Sequence, residues 1–106
     1  MIIKIMLEYG QSPIWKYDEG IVTFENIPII DNDKEINILC DKIKNMYSSY
    51  YEFNTHNVAC WFNSKKAENE KLILKEMINE LISKLNEIND GSFIVENLLS
   101  DWLNKD

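Results

Sequence analysis

Arginine is missing from this chain: all eleven basic residues are lysine, set against eighteen Asp and Glu for a formal net charge of −7. The planar guanidinium is the usual reader of phosphate and of guanine edges, so its absence argues against nucleic-acid recognition and phosphoryl transfer. Repulsion between so acidic a chain and a phosphate backbone argues the same way. Glycine is scarce too, with Gly10, Gly20 and Gly91 each isolated at a turn-like position. A phosphate-cradling loop needs several glycines at fixed spacing so that backbone N–H groups converge, and three scattered ones cannot supply it. No apolar run approaches the roughly 18 residues that cross a bilayer. Met1 leads into a strand-like pattern where a secretory signal would be basic and then apolar. The expectation is an intracellular chain that engages neither membrane nor nucleic acid directly.

Residues for covalent or metal chemistry are equally few: one histidine, His56, and two cysteines, Cys40 and Cys60. In a reducing compartment a lone pair of cysteines stays as thiols. A structural zinc needs four ligands from Cys and His, so neither a metal nor another cofactor is expected. Cys60 with His56 is the one Cys and His pair open to nucleophilic catalysis, but neither an orienting third group nor an oxyanion site can be placed for it. The acid pairs Asp18 with Glu19 and Asp31 with Asp33 read as solvated turn residues as readily as general acids and bases. The chain is expected to bind and not to catalyse.

What is present is enough for one core. At 106 residues, 45% of them hydrophobic, residues 1–106 are expected to form a single domain. Ile3, Ile5, Leu7 and Tyr9 alternate with Ile2, Lys4, Met6 and Glu8, the period of a strand with one wholly apolar face. Gly10, Ser12 and Pro13 break that pattern, Asp18, Glu19 and Gly20 signal a turn, and residues 21–24 read as a short second strand. Residues 9–24 thus predict a β-hairpin whose broad connection carries Trp15 and Tyr17.

Asn32 with Glu35 has capping-box spacing, and Ile36, Leu39, Cys40, Ile43, Met46, Tyr47 and Tyr50 follow at three- and four-residue steps. That predicts a first helix fading over 51–53. Residues 58–62 fit a short strand or a packed loop. Asn63 or Ser64 would cap a second helix with a stripe of Leu74, Met77, Ile78, Leu81, Leu85 and Ile88, widened by Leu72, Ile73 and Ile82. Asn89, Asp90 and Gly91 stop it. Residues 92–97 then alternate as a third strand, before a tail through Trp102. The order ββααβ predicts an α+β fold, a three-stranded sheet with two antiparallel amphipathic helices on one face. The first and last strands, the most apolar, should be neighbours near the middle.

Trp15, Tyr17, Trp61 and Trp102 fall in predicted loops or element ends, where core closure is the ordinary role of an aromatic side chain. Trp15 and Tyr17 are the exception, since large aromatics beside Asp18 and Glu19 resemble the anchor and rim of an interface. Residues 1–35 hold seven acids against three lysines, whereas residues 36–65 hold two acids and three lysines. The candidate partner-binding set is therefore Trp15, Tyr17, Asp18, Glu19, Glu25, Asp31 and Asp33, with negative potential steering a basic partner toward it.

The opening Ile5-Met6-Leu7-Glu8-Tyr9-Gly10-Gln11-Ser12-Pro13-Ile14-Trp15 resembles the start of a group of small bacterial proteins that begin with a strand, a Tyr-Gly and a Pro-apolar-Trp step. The resemblance continues in outline through Ile27 and Pro28, a helix ending in Tyr and Ser over 47–51, a second long helix and a closing strand. That group includes immunity proteins of contact-dependent growth inhibition and related polymorphic toxin systems. The resemblance implies a cytoplasmic protein that binds one cognate toxin, often a basic nuclease, and occludes its active or substrate-binding surface. It supplies no catalytic residues, because immunity proteins act by occlusion. The alternative is a small regulatory or adaptor module, homodimeric through an uncovered strand edge.

Overall fold

Ile3 and Ile5, alternating with Ile2 and Lys4, build β1 (Ile2–Ile5), and both are fully buried. The structure is a computed structural model and describes residues 1–53 and 60–99. On one side β1 pairs antiparallel with β2 (Ile14–Asp18), setting Ile3 opposite Lys16 and Ile5 opposite Ile14. On the other it pairs parallel with β6 (Ile94–Asn97), setting Ile3 beside Val95. The two-residue β3 (Ile21–Val22) adds to the outer side of β2, so the sheet is mixed and runs β3-β2-β1-β6. The first and last strands are neighbours as expected, with β1 inside and β6 at an edge.

The α+β class holds, but the three-stranded sheet is corrected to four. The stretch expected as a broad aromatic connection is itself a strand, so Trp15 and Tyr17 lie in a sheet and not in a loop. It escaped the sequence pattern because Lys16 occupies a helix-facing position where an apolar residue marks a strand. Asp31, brought to 2.7 Å from Lys16 Nζ, makes that lysine tolerable. The turn from β2 to β3 is tight: Glu19 and Gly20 have φ of 50° and 80°, the two positive values that a two-residue hairpin turn matching strand twist requires.

Pro28, with its φ already set for a helix start, opens a four-residue helix, α1 (Pro28–Asp31), that the periodicity did not predict. Asn32 closes α1 and so is unavailable as a cap for α2 (Lys34–Ser48). Asp33 takes that role, its Oδ1 accepting from Ile36 N at 3.0 Å. α3 (Ser64–Ile88) is capped by Asn63, one of the two residues expected, which accepts from Lys66 N at 3.0 Å. Asn89 ends α3, and Gly91 takes the left-handed conformation with φ of 94°. Between the long helices, β4 (Tyr51–Phe53) and β5 (Cys60–Phe62) pair as a separate two-stranded sheet, so residues 60–62 are strand. His56, Val58 and Trp102 lie outside the described residues.

The core is one cluster: Ile36, Leu39, Cys40 and Ile43 of α2 and Leu74, Ile78, Leu81 and Leu85 of α3 close over Ile3, Ile5 and Phe93. Leu72 and Ile73 do not join it, and Leu72 is 74% exposed. At about 100° of helix rotation per residue, Leu72 lies on the far side of α3 from Leu74. The opposite face of the sheet holds Ile2, Lys4, Trp15 and Tyr17, with Lys4 Nζ 4.2 Å from the centre of the Tyr17 ring. Among the described residues no helix is long and apolar enough to cross a membrane.

Candidate protein-docking surface

The β2–β3 hairpin carries the acids Asp18 and Glu19 at its tip, both exposed, and then presents apolar side chains to solvent. Ile21 is 72% exposed and Phe24 is 95% exposed, unusual for residues of this size. Beside them a groove of about 470 Å³ lies between the hairpin and the two helices α1 and α2. Val22, Phe24, Asp31, Asn37, Cys40 and Asp41 are among its walls. Residues 17–33 contain five acids and no basic residue, so the field over this edge is negative.

The structure separates the sequence-derived candidates into two kinds. Asp18, Glu19 and Glu25 are exposed and free to face a partner. Asp31 and Asp33 are committed to the fold, Asp33 as the cap of α2. Asp31 Oδ2 accepts from Lys16 Nζ at 2.7 Å and from Ile27 N at 2.6 Å, and its carbonyl accepts from Asn37 Nδ2 at 3.0 Å. Lys16 Nζ also donates to the carbonyl of Glu25 at 3.0 Å. This knot ties the segment after β3 to β2 and α1, which gives the exposed edge a fixed backbone. Asp31→Ala is therefore expected to cost about 1.5–3 kcal/mol, the usual loss for hydrogen bonds to a charged group, read as a lower urea midpoint. Asp31→Asn, which keeps an acceptor, should cost less.

Trp15 and Tyr17 are half-buried on the face away from the helices. Trp15 also borders the groove, and its Nε1 is shielded from solvent with no acceptor among the described residues. The apolar part of the edge, Ile21 and Phe24, was missing from the sequence-derived set. Alternation marked 21–24 as a strand but could not show that it stands at the end of a sheet. Asn37, Cys40 and Asp41 carry no sequence signal for a site at all, since only the packing of α2 brings them beside the hairpin.

Elsewhere, Cys40 is buried and burial pushes its thiol up to about 11, with Asp41 and Asp31 adding to the rise and a Ser12 hydrogen bond opposing it. Cys60 is exposed on β5, next to Trp61, which is 49% exposed where core closure was expected. Trp61 lies on a two-stranded ribbon too small to bury both its faces. Among the described residues no three His, Cys, Asp or Glu side chains converge as metal ligands. In comparisons with known proteins, no family model, no curated protein and no solved structure matches this chain.

Proposed function

We propose that this chain is a protein-binding domain that neutralises a basic toxin domain by occlusion, as an immunity protein does, with the β2–β3 hairpin as its contact surface. One observation carries the reading: Ile21 and Phe24, large apolar residues left exposed, lie on the same hairpin segment as the solvent-facing acids Asp18, Glu19 and Glu25. Interfaces combine a desolvated apolar anchor with a polar rim, and the rim charge sets the encounter rate. The rigid backing of the edge by Lys16 and Asp31 favours binding without reordering.

The test is co-expression with any toxin-like domain found encoded beside this chain. The wild type should protect the cell. A variant carrying Asp18→Lys, Glu19→Lys and Glu25→Lys should associate about 10- to 1000-fold more slowly at low ionic strength and lose most of its salt dependence. Unchanged protection and affinity would remove this surface, and a neighbourhood without any toxin would remove the function.

A second reading, a homodimeric adaptor, draws on the other edge of the sheet. There Ile94 is 64% exposed, Leu98 just past the strand is 46% exposed, and Glu96 is the only charged residue of β6. A mass that doubles with concentration and reverts in Ile94→Lys would favour it.

A further inference from the structure

We infer that the free edge of β3 is a strand-docking site, which takes an extended lysine-bearing segment of the partner as a fifth strand and lowers one of its side chains into the adjoining groove. The inference rests on the proposed basic partner and specifies how it is held.

Among the described residues β3 ends the sheet, with only one of its sides paired. Thr23 N donates to the carbonyl of Lys16 at 2.9 Å, which makes 16 and 23 a hydrogen-bonded pair. Antiparallel pairs alternate, so Tyr17 and Val22 form a non-bonded pair and the N–H and C=O of Val22 point away from β2. Among the described residues they have no partner, and on an exposed edge they are the donor and acceptor that strand addition employs. The backbone on either side is held in place. The tight Glu19-Gly20 turn fixes one end, while the Lys16 bond to the Glu25 carbonyl and the Glu25 N bond to Thr23 Oγ1 fix the other. An edge set in advance loses little entropy when a strand joins it.

The groove selects the side chain. Its lining brings Val22 and Phe24 together with Asp41, which has Lys44 Nζ 4.0 Å from its Oδ1, while Lys16, also in the lining, is paired with Asp31. An alkyl stem ending in a positive charge matches that combination, as lysine and arginine side chains do. A second copy of this chain is a poor occupant: it would bring five acids and no base over residues 17–33 against the same five, and each copy carries a net charge of −7.

The probes are three capped hexapeptides: one alternating Lys and Val, the same peptide N-methylated on alternate amides, and one alternating Glu and Val. Binding is measured by titration, and the Val22 amide by hydrogen exchange. The Lys-Val peptide should bind and slow exchange at Val22 by about tenfold or more, and N-methylation should weaken binding by about tenfold. Val22→Pro deletes the outward N–H without deleting an internal bond, as proline is tolerated at a strand edge. It should weaken the Lys-Val peptide about as much as N-methylation does, while Val22→Ala, which keeps the outward N–H, should keep protection of the residue 22 amide. If the methylated and unmethylated peptides bind alike, or Val22→Pro behaves as Val22→Ala, strand addition is wrong while a basic partner survives. If the Glu-Val peptide binds as well as the Lys-Val peptide, both readings fall. Protection of Val22 in the concentrated protein alone would assign the edge to a second copy and overturn the proposal.

Discussion

Replacing Tyr50 by Ala is expected to destabilise the protein by about 3–5 kcal/mol, the range for deleting a fully buried aromatic ring. Tyr50 sits just past the end of α2 with no exposed surface, and three elements meet on it. Its ring lies edge-on to Tyr47 and to Phe62 of β5, each with centroids 6.0 Å apart. Its N–H donates to the Tyr47 carbonyl, and its own carbonyl accepts from Asn63 N at the head of α3. Its hydroxyl donates to Glu70 Oε1 on α3 at 3.2 Å. With a total stability of about 5–15 kcal/mol typical of a domain this size, the loss takes a large share. The urea midpoint should fall with little change in slope, and the thermal midpoint should fall by about 10–25 °C. Tyr50→Phe keeps the ring and gives up only the bond to Glu70, so it should cost about 1.5–3 kcal/mol at most. Equal losses for Ala and Phe would mean that the hydroxyl, and not the ring, joins the two helices.

The second large effect is a loss of stability in alkali. Burial raises the Cys40 thiol from 9.0 to about 11, so the folded state holds its proton after the unfolded chain has released it. A folded-state pKa raised in this way leaves stability intact below the unfolded value and removes it as pH climbs through the folded one. The window is about pH 9 to 11, and a rise of that size is worth about 2–3 kcal/mol. Tyr47 and Tyr50 move in the same direction, burial again being the main cause, and extend the fall to higher pH. The urea midpoint should therefore drop steeply above pH 9. In Cys40→Ala the drop between 9 and 11 should shrink. A Cys40→Ala curve parallel to the wild type would show that the thiol contributes nothing.

Much of the fold was legible because apolar side chains recur with the period of the element that buries them. Ile3 with Ile5 marked the central strand, and Ile36, Leu39, Cys40 and Ile43 marked the inner face of α2. Asn63 and Gly91 marked the ends of α3 through local chemistry, a side-chain acceptor for a free N–H and a backbone able to turn left-handed. The errors came where a residue's environment is supplied from far along the chain. Lys16 looked like a break in the pattern until Asp31 stood beside it, and residues 14–18 looked like a connection until β1 paired with them.

The candidate surface divides along the same line. Its charge was readable, since sign and density of acids are properties of the sequence, and residues 17–33 hold five acids whatever the fold. Its shape was not. Only the sheet order places β3 at an end, leaves Ile21 and Phe24 uncovered and swings α2 round to complete the groove with Asp41. The sequence by itself determined the α+β class, the two long helices, the acidic field and the scarcity of histidine and cysteine, because periodicity and composition act locally or in sum. Which acids are consumed inside the fold, as Asp31 and Asp33 are, and which strand edge stays open were decided by tertiary structure alone, because both depend on contacts between segments that only packing brings together.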